Sequence, residues 1–516
     1  MRKHRAVPWR DSNVVHVKKE VQIHNSPITK LKRRIAMITS WAVPCFLQRG
    51  MMALVALFLI AGVAFGQNLV IQSGASLTGS GTYKVKGNIT NSGVAGTTTF
   101  NATVELNGGT QDIGTAGNGA LSFATLRALG TDTKTMKVDV TASSALVVNN
   151  GSGKFLDVVA RTLNIGGTTT LTSGSLDVSN SSGRVNYTRD DGTPQVTLGL
   201  TYAGTLGMSG SSAKSLGAAT SAATLSHSGG GLTVDQDLTV TGTTASSIGT
   251  LTNISSTKTL LKNNTSTLTI ASLSGNAGTI DLTAAGTVNF TGAVTSTSLI
   301  RASAGTLDFD GNINNTSGTI QLTSSANANF GGTFADATQA GTLTLASTST
   351  ANYDGASAQN AAPATYGNLN MSAAGVKTAL GNLTIATAFN NGTATTDMST
   401  FTLGGAGTKT QASGGTMRFG GASNGLLFAS GTVDYNAASG TQSIAGHATD
   451  KYETILFSGG GTKQIAAATR VATSGNLTVN SGVTADVSAS DSQLLVDGNL
   501  TVAGTLNNAG TVQVGP

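Results

Sequence analysis

Charged side chains that could catalyse a reaction are sparse, and their densest cluster lies just after Tyr187. Asp190 and Asp191 stand beside Arg189, and Arg184 is close in sequence. Paired carboxylates next to basic groups could act as general acid and base on a polysaccharide. A solvated turn in a Gly-containing loop explains the same residues, and we expect such a turn. A carbohydrate-active lyase or hydrolase is therefore the alternative to the non-enzymatic role that the rest of the sequence favours.

Two further patterns resemble reactive sites, and neither predicts one. Gly421-Ala-Ser423-Asn-Gly425 matches a nucleophile elbow, but that motif needs a following helix, and no helical pattern follows. His227 and His447 are the only histidines after residue 66. Neither has a neighbouring His or Cys at ligand spacing, so we expect both to be exposed loop residues. The sequence therefore predicts no catalytic, cofactor-binding or metal-binding residues and no enzyme.

Tyrosine, glutamine and lysine recur together in a long repeat. In each block a Tyr follows Asn or Asp, then come a Gln, a second Tyr and a Lys. The three blocks are Tyr187, Gln195, Tyr202 and Lys214; Tyr353, Gln359, Tyr366 and Lys377; and Tyr435, Gln442, Tyr452 and Lys463. A weaker copy contains Leu106, Gln111, Phe123 and Lys134. Because the lysines recur with the repeat, we expect them at the surface or at corners, not in one active site.

A shorter repeat positions these blocks. Gly278-Thr-Ile-Asp-Leu-Thr returns 40 residues later as Gly318-Thr-Ile-Gln-Leu-Thr. Aromatic residues recur nearby at steps of 19, 21 and 23 residues, each after an Asn or Asp. These pairs are Asn289 and Phe290, Asp308 and Phe309, Asn329 and Phe330, and Asn352 and Tyr353. A stacked unit of about 20 residues is indicated. We predict an inner aromatic stack and an outer or corner ladder of Asn and Asp.

The remaining pattern is that of β-strands. Leu238-Thr-Val240 and Leu477-Thr-Val479 alternate aliphatic and Thr side chains, and Asn149-Asn150-Gly151 is typical of the turns between strands. After residue 67 we find no helical periodicity with helix caps. Recurrence about every 20 residues favours a continuous coil rather than a β-sandwich or barrel. Each strand of such a coil would pair with its counterpart one turn away, about 4.8 Å along the axis. Thr-x-Thr segments such as Thr342-Leu-Thr344 would suit an ice-binding face, but the pattern is not sustained.

Composition limits the partners of the chain. Only 10% of its 516 residues are charged, 5% are aromatic and 67 are Gly. Disorder is an alternative for such a chain, but the alternating aliphatic residues favour order. Residues 1–66 hold 11 Lys and Arg and two acidic residues, which leaves 30 − 11 = 19 basic and 24 − 2 = 22 acidic residues, a net charge of −3. Without a basic stripe, nucleic acid is not an expected partner.

The N-terminal part predicts export. Residues 51–63 form an apolar run after Arg49, and Ala64-Phe65-Gly66 fits a cleavage site. We predict a signal peptide over residues 51–66, cleaved after Gly66. A transmembrane anchor would need about 20 apolar residues, so none is expected in the mature chain.

Three segments follow from this boundary. Residues 1–50 form a basic extension, which a mis-called start codon would explain, and residues 67–516 form the repetitive domain. The only cysteine, Cys45, lies in the extension, so the mature chain would contain no disulfide.

Several segments resemble secreted bacterial β-solenoid surface proteins with adhesin-like, filamentous-haemagglutinin-like repeats. They are Tyr-x-x-Leu/Ile, the Ser-Gly-x-Gly-x-Lys at residues 458–463, and Gly-Asn-Leu-Thr-Val at residues 475–479 and 498–502. The resemblance implies a right-handed parallel β-helix that is secreted or on the cell surface. It also implies a structural or adhesive role towards cell-surface glycans, host or abiotic surfaces, or other envelope components. Thr511–Pro516 is still repeat-like, so we expect either a truncated fragment or a different route of anchoring.

Overall fold

The computed structural model describes residues 68–72, 77–92, 96–151, 155–423 and 425–515. Of the preceding residues it describes only the two-residue strands Val17–Lys18, Leu54–Val55 and Ala64–Phe65. Apart from those strands, the basic extension, Cys45, the apolar run and the cleavage site lie outside the described residues, so these interpretations stay predictions. The chain divides into two compact units, Met1–Lys214 and Ser215–Pro516.

The first unit consists of short strands separated by turns. From residue 68 onward they are Leu69–Gln72, Leu77–Val85, Ile89–Ser92, Thr98–Leu106, Gln111–Ile113, Leu121–Leu129, Lys134–Met136, Val140–Asn149, Phe155–Asp157, Thr162–Ile165, Thr168–Ser173, Ser175–Asp177, Arg184–Tyr187, Gln195–Thr197 and Thr201–Met208. The strand Lys214–Leu216 contains the boundary between the units.

The second unit has the same construction with more strands. They are Thr220–His227, Leu232–Val234, Leu238–Val240, Ser246–Ile254, Thr259–Lys262, Thr267–Leu273, Thr279–Leu282, Thr287–Phe290, Val294–Thr295, Leu299–Ala302, Thr306–Phe309, Ile313–Asn314, Thr319–Leu322, Asn327–Phe330, Thr342–Leu345, Thr350–Tyr353, Gln359–Ala361, Ala364–Met371, Val376–Ala379, Leu383–Asn391, Thr395–Asp397, Leu403–Gly404, Thr408–Gln411, Thr416–Phe419, Thr432–Tyr435, Thr441–Ile444, Thr454–Phe457, Gly461–Ile465, Arg470–Thr473, Leu477–Val479, Val483–Val487, Gln493–Val496, Leu500–Val502, Thr505–Asn508 and Thr511–Val514.

Strands pair in parallel with their equivalents one coil away. Phe290 is the register partner of Phe309, Phe309 of Phe330, and Phe330 of Tyr353. Successive coils are about 21 residues apart, close to the 20 predicted. The predicted all-β parallel β-solenoid is therefore confirmed. The right-handed winding of the coil stays a prediction.

Alternation along each strand builds the core. In Thr287–Phe290, Val288 and Phe290 are buried, while Thr287 and Asn289 are half-exposed. Successive rings of the aromatic column have centroids 4.9, 5.5 and 5.0 Å apart, with interplanar angles of 5°, 9° and 28°. The predicted inner aromatic stack is confirmed. Each such ring pair stabilises the fold by about 0.5–1.5 kcal/mol beyond the burial of its area.

Glycine is required where one coil turns closely over the next. Gly305 has a φ of +72°, and a Cβ there would lie 2.1 Å from the backbone oxygen of Gly286 in the previous coil. A larger residue would have to push the two coils apart. The high glycine content therefore follows in part from the close stacking of corners.

One short helix corrects the expectation that no capped helix follows residue 67. Ala337–Ala340 is preceded by Asp336, whose carboxylate accepts a hydrogen bond from the Gln339 N–H at 2.9 Å, and Gly341 ends the helix with a φ of +60°. Asp before the helix and Gly after it are the usual capping residues. A helix of four residues is too short to show a periodicity, so the sequence pattern missed it.

Candidate functional site

The glutamines of the repeated blocks are buried bridges between backbone segments. Gln195 donates from Nε2 to the backbone oxygens of Ile165 and Gly167, at 2.8 and 2.9 Å. Its Oε1 accepts from the backbone N–H of Arg189 at 3.0 Å. Gln111, Gln359 and Gln442 have equivalent partners: Val85, Gly87 and Gly108; Phe330, Gly332 and Gly355; and Phe419, Gly421 and Ala437. Each amide thus satisfies two carbonyls of the previous coil and one N–H of its own.

The lysines are buried, which makes the surface half of the expectation 'at the surface or at corners' wrong. Their exposed fractions are 0% for Lys134, Lys377 and Lys463 and 1% for Lys214. Three of them are register partners of the glutamine one coil before, in the pairs Gln111 and Lys134, Gln359 and Lys377, and Gln442 and Lys463. The expectation rested on the recurrence of the lysines with the repeat, which does not show whether a side chain points inward or outward.

The backbone supplies the partner that each ammonium needs. Lys463 Nζ donates to the backbone oxygen of Ala437 at 2.8 Å, and the N–H of the same residue is held by Gln442. The same sharing of one residue occurs in the other blocks, at Gly108, Arg189 and Gly355. Burial lowers the pKa of all four lysines, and a nearby aspartate partly opposes this shift in each block. Carbonyl dipoles therefore replace the water around each charge.

Two tyrosines in each strong block clamp one further residue. The hydroxyls of Tyr353 and Tyr366 are 2.9 Å apart. The N–H of Ala362 donates to Tyr353 at 3.0 Å, and Tyr366 donates to the carbonyl of Ala362 at 2.6 Å. Tyr187 and Tyr202 hold Leu198 in the same way. Tyr435 and Tyr452, which are 3.0 Å apart, hold Ala445.

Burial of these phenols raises their pKa. The pKa of Tyr353 rises to about 12. Burial, and then the facing Tyr353 hydroxyl, raise the pKa of Tyr366 well above its ordinary value. In the weaker copy, Leu106 and Phe123 replace the two tyrosines and no hydroxyl pair is present. Gln111 and Lys134 keep their backbone contacts there. The Gln and Lys bridge is therefore the common part of the four blocks, and the tyrosine pair is an addition in three.

The outward face of the second unit has a column of amide side chains. Asn329 is hydrogen-bonded to Asn352 at 2.8 Å, and Asn352 to Asn370 at 2.7 Å. We name this column the amide ladder. Its members are Thr269, Asn289, Asp308, Asn329, Asn352, Asn370, Asn390 and Thr410, each the register partner of the next. The predicted ladder is confirmed, and it extends beyond the four predicted members.

The cluster around Asp190 lies in an exposed turn, as expected. Arg189 is bonded through two nitrogens to Asp191, at 2.8 and 2.9 Å, and this pairing lowers the pKa of Asp191 to about 2. Arg184 is bonded to Asn186 at 2.6 Å instead of joining the pair. Asp190 and Asp191 are both exposed. An ion pair inside a turn accounts for these residues.

The other singled-out residues fit the core or loops. Ser423 is 2% exposed, and its hydroxyl accepts from Tyr435 at 3.3 Å. No helix follows it within residues 425–431, so the elbow geometry is not formed. His227 is 2% exposed at the end of a strand, which makes the expectation of an exposed loop wrong there. Its Nδ1 accepts from the Gly249 N–H at 3.2 Å. His447 lies in a loop and is half-buried beside Tyr452.

Neither a cluster of metal ligands nor a membrane-spanning helix is present among the described residues. No group of three or more His, Cys, Asp and Glu side chains in this part of the chain could hold a metal ion. In the same residues, no helix is long and apolar enough to cross a membrane. Comparison with known proteins found no matching family model, no matching curated protein and no matching solved structure.

The glutamine bridge is tested by changing Gln442 to Leu. The change leaves the carbonyls of Phe419 and Gly421 and the N–H of Ala437 without their side-chain partner. Because each unsatisfied buried group costs about 1–3 kcal/mol, we expect the free energy of unfolding of the second unit to fall by about 3 kcal/mol or more. Urea unfolding measures this. The control Gln493→Leu, at an exposed strand position, should change it by less than about 0.5 kcal/mol. Equal effects of the two changes would refute the bridge.

The tyrosine clamp predicts a loss of stability in alkali. The folded pKa of Tyr353 is about 12, and an unfolded tyrosine has a pKa of about 10. The unfolded state therefore releases its proton first. The stabilisation is complete below pH ~10 and is lost as pH rises towards the folded pKa.

The double variant Tyr353→Phe/Tyr366→Phe should be less stable at pH 8, because Ala362 loses two partners. Between pH ~10 and ~12 the unfolding free energy of the variant should fall less steeply than that of the parent. The difference between the two slopes should be about 1–3 kcal/mol per pH unit. Urea midpoints across that range measure the difference. Lys377 is present in both proteins, so its opposite contribution cancels. Parallel pH profiles of parent and variant would contradict the clamp.

Proposed function

We propose that this chain is a secreted or cell-surface β-solenoid with a structural or adhesive role that acts through its repetitive outer face. The amide ladder carries the proposal, since it presents hydrogen-bonding side chains at the same position of eight successive coils. Parallel strands are spaced by about 4.8 Å, so the ladder extends over roughly 34 Å.

Regular spacing suits weak multivalent binding. Amide and hydroxyl groups exchange hydrogen bonds with the hydroxyls of sugars, and one such contact contributes little net free energy in water. Repeated contacts to one polymer or surface become collectively strong, because later contacts form at a high effective concentration. Cell-surface glycans are the ligands that this chemistry favours. Host or abiotic surfaces and other envelope components are the further partners.

Export supports the same proposal. The apolar run of residues 51–63 and the small residues up to Gly66 are typical of a signal peptide. The segment after the cleavage site contains no cysteine, so its stability rests on burial and backbone pairing. We further propose the right-handed winding that is usual for the proteins it resembles.

A glycan-binding assay tests the role of the ladder. The variant Asn329→Ala/Asn352→Ala/Asn370→Ala removes three adjacent members, and we expect binding of the purified mature chain to immobilised glycans to weaken at least about tenfold, since multivalency is lost. The matched control Thr283→Ala/Ser303→Ala/Thr323→Ala removes three hydroxyls from successive coils at another position and should bind like the parent. Unfolding midpoints confirm that both variants are folded.

Two results would argue against the proposal. One is equal glycan binding by the ladder variant and its control, or no binding to any glycan or cell surface. The other is cleavage of a polysaccharide that is abolished by Asp190→Asn/Asp191→Asn, which would favour the carbohydrate-active alternative.

A further inference from the structure

One strand of the first unit ends a sheet with its edge open. Thr168–Ser173 pairs in parallel with Val140–Asn149, which pairs with Leu121–Leu129, and that strand pairs with Thr98–Leu106. Within the described part of the chain, no strand is paired with the other edge of Thr168–Ser173. Its outward N–H and C=O groups are therefore available to a further strand.

The buried column beneath this edge is also left uncovered. Leu106, Ala128 and Val148 are successive register partners and are each 0% exposed. Leu171 is the next partner in the same column, and it is 36% exposed. Thr169 continues a neighbouring core column, and its hydroxyl is buried without a hydrogen-bond partner among the described residues. A core position that is partly exposed indicates that the sheet lacks its next strand.

A glutamine bridge lies at the start of the open strand. The side chain of Gln195 donates hydrogen bonds to the carbonyls of Ile165 and Gly167, just before the open strand begins. The next coil is therefore joined to the start of this strand by a side chain and not by strand pairing. The strand Gln195–Thr197 then stands beside the open edge as a wall, from which Val196 projects with 53% exposure. A pocket between wall and edge is lined by residues 167–169 of the edge, by residues 194–196 of the wall and by Arg189. We name the open edge of Thr168–Ser173 and this wall the shelf.

The open strand itself lacks the usual protection of an exposed edge. Residues 166–176 contain no charged residue and no proline, and the one shift of register falls at the last pair, Asn149 with Ser173. Natural edge strands are normally guarded by such residues against pairing with other chains. Leu171 and Val196 are also two of the four large hydrophobic side chains that are exposed among the described residues; the others are Val502 and Val514.

We propose that the shelf binds an extended, uncharged segment of a partner polypeptide, which adds to Thr168–Ser173 as the next parallel strand. The occupant follows from continuity, because each earlier strand of this sheet is covered by a parallel strand that places an aliphatic side chain over the column of Leu106, Ala128 and Val148. An aliphatic side chain of the segment covers Leu171 and Val196, and a polar one meets the hydroxyl of Thr169. Main-chain hydrogen bonds supply most of the affinity in this mode of recognition. The inference does not depend on glycan binding by the amide ladder.

Fluorescence anisotropy of the full mature chain with a labelled peptide of alternating Thr and Val tests the proposal. Two further peptides have N-methyl groups on one or the other alternate set of amides. A strand that pairs through one edge should lose binding with one methylated peptide and keep it with the other. Leu171→Lys and Val196→Lys should each weaken binding at least about tenfold, since a charge would be buried against the peptide. The control Val514→Lys, at a side chain that is 52% exposed, should bind like the parent.

Three outcomes would overturn the proposal: no saturable binding of the unmethylated peptide, equal binding of both methylated peptides, or parent-like binding by Leu171→Lys and Val196→Lys. A parent chain that dimerises in analytical ultracentrifugation, with the dimer lost in Leu171→Lys, would assign the shelf to a second copy and also overturn it. Glycan binding in the presence of saturating peptide separates the two functions. Loss of one activity alone leaves the other proposal standing.

Discussion

Parallel, in-register pairing between successive coils is the constraint on which the other features of this molecule depend. It places equivalent residues of successive coils directly over one another. Residues of the same type therefore form columns in which neighbours are separated by the spacing between strands, about 4.8 Å. Phe290, Phe309 and Phe330 form a stack for this reason, and Asn329 and Asn352 form a ladder on the other face. The same rule makes a polar inward position costly unless its hydrogen bonds are met by its own coil or the adjacent one.

Two of the four Gln and Lys bridges lie where the regular stacking changes. Gln359–Ala361 is the first strand of an eight-stranded sheet, and Thr441–Ile444, which contains Gln442, is the first of a four-stranded sheet. A first strand has no ladder partner in the coil before it, so carbonyls of that coil would be left buried and unpaired. The glutamine amide takes up these oxygens. The lysine ammonium of the next coil is bonded to an oxygen of the glutamine's own coil, that of Gly355 or Ala437. The burial of an ammonium group is thereby explained, since carbonyl dipoles replace the water around it.

Sequence reasoning succeeded where a repeat is visible and failed where a single local contact decides. The aromatic stack and the amide ladder could be predicted because Phe or Tyr follows Asn or Asp at nearly constant spacing. The recurrence of Gln442 and Lys463 was visible too, but their burial was not, because the backbone oxygens that hold them have no signature in the side-chain pattern. His227, the helix Ala337–Ala340 and the open edge at Leu171 depend on how one particular coil turns.

Disulfide trapping in the mature chain, which has no native cysteine after residue 66, measures the register between coils most directly. The pair Asn329→Cys/Asn352→Cys joins adjacent rungs, where Cα atoms about 4.8 Å apart allow a disulfide. The pair Asn329→Cys/Asn370→Cys spans two rungs, or about 10 Å, which is too far. The in-register solenoid predicts rapid intramolecular crosslinking of the first pair under mild oxidation and none of the second. Crosslinking of both pairs at the same rate, or of the second pair alone, would contradict it.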